Sequence, residues 1–146
     1  MDRRDAITIR QAGLEVIDHL LDFDPMAQAG DASRRLAIRE WVSAGLTLVA
    51  ETEAGLVGYV VTLPGHLFDR DFIAMLIVRA GHRRRRVGSA LLASAVRTAT
   101  SQRVFTSTNS SNAPMKALLA SMGWTYCGTL DGFDPGDPEL FYYIDR

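Results

Sequence analysis

The chain has 146 residues, 47% of them apolar, and a formal net charge of -1. That suffices for one domain with its own core, and the charge balance argues against a general nucleic-acid binder. A single cysteine, Cys127, excludes a disulfide framework and a cysteine-based zinc site, and His19, His66 and His82 show no ligand spacing. No apolar run approaches the roughly 20 residues that cross a membrane. The opening MDRRDAITIR lacks the apolar core of a signal peptide, so a soluble cytoplasmic protein is expected.

Ala6 to Arg10 alternates, with Ile7 and Ile9 on one face, and predicts a short first strand. Leu14, Ile17, Leu20 and Leu21 mark one side of a helix that ends before Pro25, and Met26 to Gly30 reads as a loop. Asp31 or Ser33 can cap a second helix whose apolar side is Leu36, Ala37, Trp41 and Val42, closed by Gly45. Leu46–Glu51 and Leu56–Leu63 predict a hairpin around Glu53-Ala54-Gly55, ended by Pro64-Gly65.

Phe72 to Val78 is an unbroken apolar run of strand length, as expected for a strand covered on both faces. Four arginines follow, Arg83 to Arg86, and then a helix with Val87, Leu91, Leu92, Ala95, Val96 and Ala99 as its apolar face. Gly88 has no side chain to obstruct a ligand. A helix N-terminus offers unpaired N–H groups and partial positive charge, so the unit reads as a cradle for a phosphorylated cofactor. Arg103 to Thr108 predicts a further strand ending in TSTNSSN. Ser111 or Asn112 can cap a helix with Pro114 in its first turn and Met115, Leu118, Leu119 and Met122 as its buried stripe. Gly123 stops it. Trp124–Leu130 and Leu140–Ile144 are two last strands around the turn-rich DGFDPGDPE. The order β-α-α-β-β-β-α-β-α-β-β, without repeats or linkers, predicts a single α/β domain over residues 1–146.

In this order of elements, and in two motifs, the chain resembles the GNAT superfamily of N-acetyltransferases over nearly all its length. That family carries a valine-x-proline-acidic-x segment running into an [Arg/Gln]-x-x-Gly-x-[Gly/Ala] loop. Here Val78-Arg79-Ala80-Gly81-His82 runs into Arg83-Arg84-Arg85-Arg86-Val87-Gly88, with Ala80 at the proline position and Arg86 at the first glycine. Arg85 to Ala90 also satisfies the loop consensus. The first register is preferred because it keeps the spacing from Val78 and the start of the helix. An Arg86 that needs a positive φ in glycine's place carries strain. The second signature, Asn-x-x-Ala-x-x-Leu-Tyr-x-x-x-Gly-Phe, is matched by Asn112, Leu118 and Gly123, with Trp124 for the aromatic and Leu119 where the tyrosine stands.

The resemblance implies a mixed, twisted central sheet of about seven strands flanked by about four helices. It implies acetyl-CoA as donor and a primary amine of a small molecule or peptide as acceptor, joined by direct attack in a ternary complex. The cofactor pyrophosphate would be held by Arg83, Arg84, Arg85, Arg86, Val87, Gly88 and Ser89. A backbone N–H among Leu76, Ile77 and Val78 would polarise the thioester, and Asn112 would hydrogen-bond the cofactor. Asp71 is the general-base candidate, ahead of Glu51 or a water. Leu119 removes the usual acid, leaving Ser121, Tyr126, Tyr142, Tyr143 or a water.

Other readings stay open at this point. The same fold without catalysis would be an acyl-CoA-binding sensor, and the arginine turn could serve a nucleic-acid module, although no nucleic-acid or membrane partner is expected. Asp134, Asp137 and Glu139 read as a collar for a cationic substrate or as turn residues. Cys127 reads as strand core. The chain is expected to be a monomer or a homodimer.

Overall fold

Among residues 6–83 and 86–146, which the computed structural model describes, the alternating and apolar runs form seven strands and the capped runs five α-helices. The order is β1 Thr8–Gln11, a 3-10 turn Leu14–Val16 leading into α1 Ile17–Phe23, α2 Pro25–Gln28, α3 Ala32–Ser43, β2 Thr47–Thr52 and β3 Gly55–Leu67. It continues with β4 Arg70–Val78, α4 Val87–Thr98, β5 Arg103–Asn109, α5 Ala113–Ser121, β6 Thr125–Leu130 and β7 Glu139–Asp145. The strands lie side by side as β1-β2-β3-β4-β5-β7-β6. Strand β4 pairs with β5 in parallel, whereas the β1–β2, β2–β3, β5–β7 and β6–β7 pairs are antiparallel. The chain divides into two compact units, Met1–Val61 with Met75–Ala95 and Thr62–Ala74 with Val96–Arg146.

In the first unit the local chemistry of Asp24 adds a helix where a loop was expected. Its Oδ1 accepts the N–H groups of Met26 and Ala27, both at 3.0 Å, and Pro25 enters the first turn. An N-cap aspartate followed by proline starts a helix at little cost, so Pro25–Gln28 is α2. Asp24 is fully buried, and it also accepts the Tyr59 hydroxyl at 2.5 Å and Arg34 Nη1 at 3.0 and 3.2 Å. Burial works to raise its pKa. The hydrogen bonds from Tyr59 and Ala27 and the Arg34 charge outweigh that and hold it below the ordinary carboxylate value.

Beside this network α3 keeps only part of its expected face, with Val42 buried and Ala37 and Trp41 half-buried. Asp31 is the cap, accepting Arg34 N–H at 2.8 Å. The inward side carries Arg34, Ile38 and Val42, at i, i+4 and i+8, while Leu36 is 57% exposed. An inward arginine is tolerated because Asp24 meets its charge. Leu14 is likewise exposed, and α1 buries Leu20 and Leu21, with Val16 of the preceding turn.

Gly58 of β3 sets how closely α4 approaches. A Cβ there would lie 2.8 Å from the Ile77 carbonyl oxygen, 3.0 Å from Leu91 Cδ1 and 3.2 Å from Val87 Cγ1. The missing side chain lets the start of α4 press onto β3, beside buried Val57, Val60, Leu91 and Leu92. The apolar run of β4 is less enclosed than expected. Ile73 is buried, but Phe72 and the run from Ala74 to Val78 are half-buried, and the pairing with β5 covers only Asp71↔Val104 to Ile73↔Thr106.

In the second unit β5 buries Val104, Thr106 and Thr108 on one face, and the Thr106 hydroxyl donates to the Ile73 carbonyl at 2.9 Å. Helix α5 is capped by Asn112, which accepts Met115 N–H at 3.2 Å. Its inward stripe centres on fully buried Leu119, with Met115, Leu118 and Met122 half-buried. Cys127 is exposed rather than core, because β6 is an edge strand whose register shifts between Tyr126 and Gly128. No helix among the described residues is long and apolar enough to cross a membrane.

Candidate active site

In the first unit, Leu76, Ile77 and Val78 form the half-buried end of β4. The chain then turns at once. Arg79 N–H donates to the Val57 carbonyl at 2.8 Å, and His82 N–H to the Arg79 carbonyl at 3.0 Å. Gly81 stands at the third position of that turn with φ +88°, as a type II turn requires. Ala80 fills the second position, where proline is favoured, which gives a physical reason for the proline of the family motif.

Arg86 then takes φ +65°, a left-handed conformation that arginine rarely adopts. This is the backbone shape that the first register asks of its glycine. Helix α4 opens directly behind it, with Ala90 N–H donating to the Arg86 carbonyl at 3.0 Å. Ser89 Oγ donates to the same carbonyl at 3.1 Å. The Val87 side chain is buried, while Gly88 and Ser89 are half-buried. Helix geometry leaves the first-turn amides, Val87 to Ser89, without partners inside the helix and places the positive end of the helix dipole there. That combination suits an anion. Arg83 is exposed, and Arg84 and Arg85 lie outside the described residues.

The first unit also holds a cavity of about 350 Å³ lined by Arg10, Glu15, His19, Asp22, Glu51 and Arg79 among others. Arg10 bridges it, with Nε 3.1 Å from Glu51 and Nη1 3.3 Å from Glu15. Hydrogen bonding to Glu51 raises the Arg10 pKa. Glu51, the second base candidate, is therefore ion-paired.

Asp71 lies in the second unit and is 1% exposed. Its Oδ1 accepts Gly65 N–H at 3.2 Å and the Thr100 hydroxyl at 2.8 Å, and its Oδ2 accepts Thr100 N–H at 2.7 Å. Its own N–H donates to Ser101 Oγ at 2.9 Å. Burial works to raise the carboxyl pKa, but the donors from Thr100, Gly65 and Ser101 prevail and keep it low. This node ties the start of β4 to the turn after α4.

Asn112 spends its side-chain oxygen on the α5 cap and keeps its amide N–H groups as donors. Leu119 is fully buried and carries no proton to give. Ser121 Oγ donates to the Leu118 carbonyl at 2.8 Å, the Tyr126 hydroxyl meets that of Thr129, and the Tyr142 ring packs edge-on to Tyr126. Asp134 accepts Asn109 Nδ2 at 2.8 Å, and Asp137 accepts both the N–H and the hydroxyl of Ser111. These two acids close the loop before β7, the turn role that the sequence offered them. Sequence reasoning missed Gly58 and the Asp24–Tyr59–Arg34 network. An isolated glycine inside a strand run was the available signal for the first; the second has none, since its members lie far apart in the chain.

The fold and the β4–α4 turn define an acetyltransferase of the GNAT type. A model of the acetyltransferase (GNAT) family matches residues 14–124, and the chain belongs to that family. It is similar to an acetyltransferase of the GNAT family from Bacillus cereus ATCC 10987, 26% identical, with a TM-score of 0.90 over 97% of this chain and 98% of that one. A ribosomal-protein-alanine N-acetyltransferase from Brucella melitensis shares the fold at 23% identity, with a TM-score of 0.76 over 95% and 99% of the two chains. So does a putative acetyltransferase from Salmonella typhimurium solved with acetyl-CoA, at 18% identity and a TM-score of 0.74 over 96% and 94%. No curated protein matches the chain.

Proposed function

We propose that the chain, working as a single domain, moves an acetyl group from acetyl-CoA to a primary amine of a small molecule or peptide by direct attack in a ternary complex. The observation that carries the donor half is Arg86 at φ +65°, immediately before the first turn of α4. A side chain accepts that conformation only where the surroundings demand it, and here it stands directly before the first-turn amides of α4. Backbone groups from Arg83 to Ser89 and the flanking arginines would hold the cofactor, and an N–H among Leu76 to Val78 would polarise its carbonyl. Bound there, acetyl-CoA supplies an activated acetyl group.

For the acceptor half we assign Asp71 to the fold rather than to proton transfer. A general base needs a free lone pair and a pKa near the working pH, and Asp71 has donors on both oxygens and a lowered pKa. With Glu51 paired to Arg10, a water is the reading left for removing the acceptor proton. The buried Leu119 favours one second reading, a non-catalytic acyl-CoA sensor, because it offers no proton to the departing sulfur.

Calorimetry with acetyl-CoA, paired with thiol release over a panel of amines, tests both halves. The wild type should bind acetyl-CoA and release thiol with at least one amine. Gly88→Glu should keep its helical signal yet lose about 100-fold or more in affinity, by obstruction and charge repulsion. Unchanged affinity in that variant would overturn the donor site. Binding without turnover for every amine would select the sensor.

A further inference from the structure

The second unit holds a groove of about 490 Å³ that the donor site does not use. Its floor is aromatic and aliphatic, built from half-buried Phe105, Phe141 and Leu67, with the exposed Leu130 beside them. Phe105 and Phe141 come from neighbouring strands β5 and β7 and are both half-buried. At its rim stand Phe68, Arg70 and Arg103, and among the described residues no acidic one lines it.

Phe68 is the unusual member. It and Asp69 form the two-residue turn between β3 and β4, with φ of +48° and +65°. Two successive positive φ values are the pattern of a type I′ turn, for which asparagine and glycine are the favoured residues. A bulky ring there costs about 1–2 kcal/mol. No burial offsets that cost, since Phe68 is 83% exposed. A residue that lowers stability and contributes nothing to the core points to recognition.

The two arginines differ in what they have left to offer. Arg103 is held by Asp145, with contacts of 2.7 and 3.0 Å, and lies 4.0 Å over the Tyr143 ring. Arg70 donates from Nη1 to the Phe68 carbonyl at 2.6 Å, which fixes it along the turn. It has no carboxylate partner among the described residues. Its remaining donors form a planar fork suited to an oxyanion.

We propose that this groove binds an aryl carboxylate, with the aromatic body on Phe105 and Phe141 under the Phe68 ring and the carboxylate on Arg70. The volume falls within the range of small-ligand sites, and a few polar groups around an apolar floor is their usual composition. Ring edges and faces favour an aryl over an alkyl body.

The test uses 4-phenylbutyrate, with 4-phenylbutan-1-ol as its neutral counterpart, and requires no acetyl-CoA. Its outcome is therefore separate from that of the transferase reading. Cys127 lines the groove, is exposed and is the sole cysteine of the chain, so its alkylation reports occupancy. The acid at millimolar concentration should slow alkylation about tenfold more than the alcohol, the increment of one charge-assisted pair. Phe68→Asn, which suits the left-handed turn, should keep or raise the melting temperature while weakening the acid about tenfold or more. Arg70→Gln should weaken the acid and leave the alcohol as it was. Equal protection by acid and alcohol, no protection by either, or wild-type binding in both variants would overturn the proposal.

Discussion

Between Val78 and Ser89 the proposed contacts are amides; between Arg103 and Tyr143 they are rings and charges. The first stretch works through backbone shape: a turn at Gly81, a left-handed Arg86 and a helix that begins at once. The second works through which side chains share a sheet face. Phe105 lies 5.9 Å from Tyr143 and Phe141 lies 6.4 Å from Phe72, centroid to centroid, because the pairings of β4 with β5 and of β5 with β7 put them on one side. A one-residue slip of any of these strands would send its rings to the other face. The two regions therefore respond differently to change. The proposed amide site should tolerate many side chains and respond to helix placement, whereas the proposed aromatic groove should depend on the identity of each ring.

The strongest way to break the first region without touching it is Gly58→Val. The new Cβ would meet the Ile77 carbonyl oxygen at 2.8 Å, and backbone cannot swing aside as a side chain can. Either β4 or α4 must shift. The expected cost is about 2–3 kcal/mol of stability, read as a lower denaturant midpoint, with a clear loss of acetyl-CoA affinity in the protein that stays folded. Wild-type affinity in that variant would show that the amides do not depend on how α4 is seated.

Asp71→Asn should cost less and act on the fold. Two of the three bonds that Asp71 accepts come from Thr100, and replacing a charged acceptor by a neutral one costs about 2 kcal/mol. The sign with pH follows from the lowered native pKa. The stabilisation is fully present above the unfolded aspartate value, about pH 4, and disappears as pH falls through the lower folded value. The gap in stability between wild type and variant should accordingly narrow in acid. In the folded protein the pH–rate profile of acetyl transfer should keep its shape. A lost or shifted acid-side limb would return Asp71 to proton transfer.

The contrast between the two regions also marks what was legible in the sequence. The succession of strands along the chain and the β4–α4 turn could be read because local chemistry dictates them: an apolar run, a glycine-serine helix start, an asparagine cap followed by proline. The face of α3 could not. Leu36 fits an apolar stripe, yet Arg34 points inward because Asp24, ten residues earlier, meets it there and Tyr59 joins from β3. Asp71 could be placed near the start of β4 from the sequence. Its partners Thr100 and Ser101 could not be named, since they come from the turn after α4, some thirty residues along the chain. The aromatic groove was hidden for the same reason: it requires the register of three strands and the bulge near Cys127.

The finest test separates backbone from side chain at Arg86. At an ordinary position, replacing arginine by glycine costs about 0.5–1 kcal/mol, because the unfolded chain gains freedom. At φ +65° the same change also relieves about 1 kcal/mol of left-handed strain. Arg86→Gly should therefore leave stability within about 0.5 kcal/mol of wild type or raise it slightly, whereas Arg86→Ala keeps the strain and gains nothing. If the donor site is made of amides, Arg86→Gly should bind acetyl-CoA within about twofold of wild type, since the loop keeps the shape that glycine prefers. Equal weakening in the glycine and alanine variants, with a shallower salt dependence in both, would move the phosphate contact from the backbone to the Arg86 guanidinium.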